Sequence, residues 1–190
     1  MNRRDEFEAL FRRDPDPWNF RSSPYEAAKF DATIAALGGR RFASGLDVGC
    51  ANGVLTARLA ARCDRLMAVD VAQAALDLAA EEVARQGQGH VAFRRADIPG
   101  DWPEGRFDLI VLSEVLYFIG ANEVRRTAAH VADAALPGAT LLSVNTTAPI
   151  AKGLSGAAAE AILAAALPDW PAPAETRGEG WRILRWTAPA

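Results

Sequence analysis

Only two cysteines, Cys50 and Cys63, occur in 190 residues. That leaves no disulfide framework and no zinc site, and no other cluster of ligating side chains suggests a metal. Both thiols are read as reduced and structural, which points to a cytoplasmic chain. No apolar run is long enough to span a membrane. The first residues are charged and lack the apolar core of a signal peptide. There is no basic excess either. The net charge of -3 argues against a nucleic-acid surface as the main business, because phosphate contacts favour surplus lysine and arginine. There is no internal repeat, and alanine richness is the only compositional bias. What remains is an ordinary soluble balance, half hydrophobic and 24% charged, in a chain long enough for one sizeable core.

The chain is organised around Gly45 to Gly53, GLDVGCANG. Leu46 and Val48 belong to a short apolar run. The chain then turns through Gly49, Cys50, Ala51, Asn52 and Gly53, and VLTARLAAR follows with helical spacing. Strand, glycine turn and helix together bring helix-end N–H groups and bare backbone to a polar or anionic ligand. Asp47, at the last strand position, faces the same ligand. A dinucleotide fingerprint fits worse, since its glycines would fall at Ala51 and Val54.

Ahead of this turn, Asp5 to Arg13 forms a short helix that must dock on something. A proline-rich stretch carries Trp18 and Phe20. Ser23, Pro24 and Glu26 then start a helix to about Leu37 by capping box, with Ala27, Phe30, Ile34 and Leu37 toward the core. Tyr25 and Lys29 point the other way, to solvent on a plain surface helix or into a site if this helix is a lid.

Beyond the turn, RLMAVD is a second buried strand ending in Asp70. About twenty residues past the glycines, a βαβ unit returns to the same sheet edge. A carboxylate there accepts hydrogen bonds from both hydroxyls of a ribose; the alternative is an N-cap for the helix AQAALDLAAEEVARQ. HVAFRR alternates as a third strand and leads to Asp97-Ile98. FDLIVLS is a continuous apolar run, a centre strand covered on both faces, and opens into Glu114-Val115-Leu116-Tyr117. Ser113, Glu114 and Tyr117 thus stand where such sheets bind ligands. Asp108, at the other end of that strand, reads as structural, and His90 and His130 as surface residues. Asn122 to Leu136 is a helix, broken by Pro137-Gly138 before a fifth strand, ATLLSVN. Leu154 to Leu167 is a helix and GWRILRW a strand. A strand near Ala172 to Arg177 is weak, so the tail looks abbreviated.

The spacing D-x-G-x-x-x-G from Asp47 to Gly53, with Asp70, Asp97-Ile98 and FDLIVLSEVLYF in order, resembles the class I S-adenosylmethionine-dependent methyltransferases. Ala51 stands where that motif has its middle glycine. DPDPWNFRSSPYEAAKF, LAARCDRLMAVDV and FDLIVLSEVLYFI resemble the nodulation protein S family, N-methyltransferases of partly deacetylated chitooligosaccharides. The resemblance implies an α/β, doubly wound, mostly parallel sheet with helices on both faces, a Rossmann-like methyltransferase fold. It implies a helical lid over residues 1–40 and a cofactor-binding domain over 41–190. S-adenosyl-L-methionine, leaving as S-adenosyl-L-homocysteine, would sit on Asp47, Gly49, Cys50, Ala51, Gly53, Asp70, Val71, Asp97, Ile98 and Ser113. Asp97 would bond the adenine amino group, with Ile98 on the ring. Glu114 would take the departing proton or hold the incoming ammonium. Tyr117, Tyr25 and Trp18 would wall a cation or a sugar face, with Lys29 beside them. The acceptor would be a small molecule or saccharide, with an amino sugar first. A different N- or O-acceptor, and a cofactor-binding module without catalysis, stay open.

Overall fold

Apolar runs bounded by polar turns become a stack of strands in the structure, a computed structural model that describes residues 2–151 and 153–190. Two helices lead, α1 (Arg3–Arg13) and α2 (Pro24–Ala36). Then come β1 (Gly45–Val48), α3 (Val54–Ala60), β2 (Leu66–Asp70), α4 (Gln73–Arg85) and β3 (Val91–Arg95). β4 (Phe107–Ser113) is followed by a single 3-10 turn, Leu116–Phe118, then α5 (Ala121–Ala134) and β5 (Ala135–Thr146). The chain closes with α6 (Gly156–Ala165), β6 (Ala174–Gly178) and β7 (Trp181–Thr187).

The seven strands lie in the order β3-β2-β1-β4-β5-β7-β6. β1 to β5 are parallel, and β7 runs antiparallel to both β5 and β6. Side-chain alternation divides the core. Leu46, Val48, Ile110, Leu112 and Leu141 pack with Val124, Ala128 and Val131 of α5 and Leu163 of α6. Leu66, Leu109, Val111, Leu142 and Val144 point the other way, to Phe30 of α2 and Leu55 and Leu59 of α3. This is the expected doubly wound sheet. No helix among the described residues is long and apolar enough to cross a membrane.

Several expectations change. The tail is not abbreviated, because Ala174–Gly178 completes a seven-stranded sheet. Its residues are mostly exposed, as an edge strand allows, so AETRG carries no apolar alternation to read. Pro137-Gly138 does not precede the fifth strand but lies within it. The β4–β5 register shifts between Phe107 and Leu109, and the irregularity accommodates the pair. α5 accordingly stops at Ala134. α3 ends at Ala60, two residues short of the expected VLTARLAAR helix, and Cys63 lies past it in an isolated bridge with Phe42. The apolar stripe of α2 packs as expected, with Phe30 and Leu37 in the core and Ile34 against it, and a polar face of Glu26, Lys29 and Thr33 is buried as well.

α1 is too short to persist alone, and its docking is polar as well as apolar. Phe11 is buried against Ala72 and Ala75. The Glu8 carboxylate accepts from Gln73 N at 2.7 Å and Ala74 N at 3.3 Å, at the first turn of α4. The α4 N-cap, Ala72, has no side chain able to do this. Arg3 donates to Asp97 and to Ile98 O.

Candidate functional site

The chain leaves β1 toward β2 and β3 on one side, then returns at β4 on the other. At that reversal, beyond the carboxyl ends of these strands, opens a cleft of about 400 Å³. It is lined by Asp47, Gly49, Cys50, Ala51, Asp70, Val71, Asp97, Ile98, Ser113, Glu114 and Tyr117, and by Trp18, Tyr25 and Lys29 from the N-terminal segment. Of the predicted site residues only Gly53 is outside. A Cβ there would meet Ala79 Cα at 2.6 Å, so Gly53 lets the turn pack on α4. His90 and His130 are not among the lining residues, and Asp108 accepts from Ala43 N and Ser44 N beneath the sheet.

One end of the cleft is built from β1, β2 and β3. Asp70 is buried, with Oδ2 accepting from Ala51 N at 3.0 Å and Oδ1 from Ala72 N at 2.9 Å. It thus ties the glycine turn to the start of α4. Burial holds its carboxyl above the usual range, against the pull of these N–H groups. Each oxygen keeps further acceptor capacity. Asp47 is buried beside it. Its Oδ2 accepts from Thr56 Oγ1 at 2.7 Å, and its other oxygen has no partner among the described residues. Burial, with the Asp70 charge adding, pushes Asp47 up to about 7. Asp97 is held through Oδ1 by Arg3, leaving Oδ2 without a partner among the described residues. Arg3 was not foreseen; it meets Asp97 across 94 positions, and no local pattern announces such a contact.

Ala51 adopts a left-handed φ of +49° within the turn. An alanine costs about 1–2 kcal/mol there, partly offset by the greater unfolded freedom of glycine. Ala51→Gly should therefore stabilise the protein by about 0.5–1 kcal/mol. Urea unfolding checks this; a lower midpoint would show that Ala51 is unstrained.

The other end is built from α2, the segment after β4 and the end of β5. Lys29 is only 2% exposed. Its Nζ donates to Glu114 Oε1 at 2.6 Å, stands 2.9 Å from Glu26 Oε2, and lies 5.1 Å from the Tyr25 ring centroid. Burial alone would lower the Lys29 ammonium, but Glu114 and Glu26 overcome it and hold it above its ordinary value. Glu114 Oε2 accepts from Tyr117 OH at 2.7 Å and Thr146 N at 2.9 Å. Burial, then the Glu114 charge, pushes the Tyr117 phenol up. Tyr25 OH donates to Gly180 O, and Trp18 stacks on Phe20 at the cleft mouth. The Tyr25–Lys29 face thus looks into the cleft. Glu26, read from sequence as half of a capping box, was missed as a site residue. Ser23 Oγ does accept from Glu26 N, but the Glu26 carboxylate turns into the cleft.

Charge decides what this cleft can hold. Five acids line it, Glu26, Asp47, Asp70, Asp97 and Glu114, against the two cations Arg3 and Lys29. It favours a ligand that brings positive charge together with hydroxyl or amine donors.

A family model described as "Nodulation protein S (NodS)" matches residues 3–164. Nodulation protein S of Rhizobium tropici is 32% identical over 129 residues, 67% of this chain and 53% of that protein. The chain therefore spans about half the length of the curated relative it matches. The N-methyltransferase NodS from Bradyrhizobium japonicum WM9, crystallised with S-adenosyl-L-homocysteine, superposes with a TM-score of 0.81 over 100% of both chains at 22% identity. A putative methyltransferase from Pseudomonas syringae gives 0.75 at 32% identity, over 86% of this chain and 98% of that one. The fold is theirs.

Proposed function

Since the chain belongs to the nodulation protein S family, we propose that it transfers the methyl group of S-adenosyl-L-methionine to the amine nitrogen of an amino sugar, such as a partly deacetylated chitooligosaccharide. The observation that carries this reading is the acid-lined cleft, with Asp47 and Asp70 at adjoining strand ends and a carboxylate pair around an ammonium at the other end.

The residues present fit the cofactor. Asp70 has acceptor capacity left for a ribose diol. The unpartnered oxygen of Asp47 suits the amino group of the cofactor. Asp97 Oδ2 and Ile98 suit the amino edge and face of adenine, with Val71 and Ser113 completing the wall. When bound, the cofactor supplies an electrophilic methyl on a sulfonium. The chain has to align the nucleophile and exclude water, which contributes up to roughly 7–11 kcal/mol in ideal cases. In this proposal α1 and α2, within residues 1–40, are the lid, and Trp18 and Tyr25 flank the acceptor. Both cysteines are free and buried, which suits a cytoplasmic setting.

Glu114 accepts from three donors and therefore has little room for a further proton or ammonium of its own. Its part in this reading is to hold Lys29 and Tyr117 in place. Glu114→Gln sets an amide N–H₂ or a single carbonyl against those donors. We expect turnover to fall about tenfold, with S-adenosylhomocysteine affinity unchanged. Equal turnover in the variant would remove Glu114 from the mechanism.

Calorimetry with S-adenosylhomocysteine, followed by methyl transfer to a panel of amino sugars, tests the proposal. Failure of the wild type to bind that ligand would end it. Binding without transfer to any acceptor would favour a non-catalytic module, a reading that loses one argument now that the sheet is complete.

A further inference from the structure

Methyl transfer to an amine requires a neutral nitrogen, so an incoming ammonium must first lose a proton. Glu114 is poorly placed to receive it. Its oxygens already accept from Lys29 Nζ, Tyr117 OH and Thr146 N, and Lys29 neutralises its charge at 2.6 Å.

Glu26 shares Lys29 with Glu114 but has neither of the other two donors. Its residue is 7% exposed and its carboxylate faces the cleft. Oε2 is buried and has one neighbour of opposite charge, Lys29 Nζ at 2.9 Å, which it shares with Glu114. No hydrogen bond reaches Oε1 among the described residues. A buried carboxylate with a single cationic neighbour keeps acceptor capacity that a ligand's donors can fill. One ammonium stands between two carboxylates, so this end of the cleft carries one surplus negative charge, and Glu26 has the fewer other donors.

We infer that Glu26 is the carboxylate that receives a proton from the acceptor's ammonium and so frees the amine to attack. The inference rests on the methyl-transfer reading above. The groups facing Glu26 are Lys29 and Tyr25 on its own helix, Glu114 and Tyr117 from the segment after β4, and Asp16 from the stretch before α2. Burial, with Glu114 and Asp16, raises its carboxyl, while Lys29 lowers it, and the balance is upward. An acid moved toward neutrality is a better proton acceptor at working pH than an ordinary glutamate.

The step balances as follows. One N–H bond of the ammonium breaks and its proton goes to a Glu26 oxygen, giving a neutral amine and a neutral carboxylic acid. The nitrogen lone pair then forms the N–C bond to the methyl carbon, and the C–S electron pair stays on sulfur. The product leaves as an N-methylammonium, and Glu26 returns its proton to water.

The test uses the full chain, with glucosamine and its β-1,4-linked dimer as acceptor probes and N-acetylglucosamine as the neutral control. Wild type should methylate the amines and not the amide. Glu26→Gln should lower kcat/KM at pH 7 by about 100-fold, while S-adenosylhomocysteine binds within twofold of wild type. The variant's rate should climb with pH as free amine accumulates, closing most of the gap by pH 9. Glu26→Asp, which keeps the charge, should recover part of the loss, and its cofactor affinity reports that the fold is intact. A loss under threefold, or a variant pH profile parallel to wild type, overturns the assignment. Wild type that binds S-adenosylhomocysteine but methylates neither amine also overturns it, leaving the donor site standing. Wild type that does not bind S-adenosylhomocysteine removes the underlying reading instead.

Discussion

Asp70→Ala should weaken S-adenosylhomocysteine binding at least about 100-fold. A hydrogen bond to a charged group contributes about 1.5–3 kcal/mol. Losing the two that a ribose diol would make costs about 3–6 kcal/mol, and 2.8 kcal/mol is already about 100-fold. The substitution also releases Ala51 N and Ala72 N, so the glycine turn loses its tether to α4. Asp70→Asn separates the two effects. It keeps the bulk and one acceptor oxygen, and should lose about 10-fold to 100-fold. Calorimetry on both variants, with circular dichroism to check the fold, decides the matter. Binding by Asp70→Ala within threefold of wild type would mean that no ribose sits there.

Asp47 should make both stability and cofactor affinity depend on pH. Its carboxyl lies at about 7 in the folded chain, against about 3.9 unfolded. The folded state therefore binds more protons than the unfolded state between these values. Stability contributed at this site is greatest below pH 4 and falls as pH rises toward 7, by about 4 kcal/mol in all. Asp47→Asn should flatten that slope and leave the ligand-free protein more stable at pH 8.

Binding runs the opposite way. An ammonium beside the free Asp47 oxygen favours the charged carboxylate. Ligand binding below pH 7 should thus release a proton, and affinity should drop about tenfold from pH 7.5 to pH 6. For Asp47→Asn we expect about 100-fold weaker binding at pH 7.5 and no pH slope. Calorimetry in two buffers of different ionisation heat counts the protons directly. A flat wild-type profile would separate Asp47 from the ligand's charged group.

Much of this site is legible in the sequence because it hangs on strand ends. Asp70 closes β2, Asp47 stands one residue before the end of β1 and Glu114 one residue past β4, and a parallel sheet brings such ends to one rim. The glycine turn reads through backbone needs that few residues meet. β6 reads only weakly, because an exposed edge strand has no buried face to write a pattern. Glu26 escapes for another reason. Its place after Ser23 satisfies a local rule, and nothing in that rule says that its carboxylate, beside Lys29, lines the cleft. Arg3 on Asp97 and Glu8 on α4 are of the same kind, long-range pairs without a local signature.

The two ends of the cleft draw on different stretches of chain. The end assigned to the nucleoside uses β1, β2, β3 and α1, whereas Tyr25, Glu26 and Lys29 lie within the first turns of α2. Selectivity is therefore modular, and grafting a homologue's α2 onto this scaffold offers a route to new nucleophiles that leaves the donor's seat unaltered.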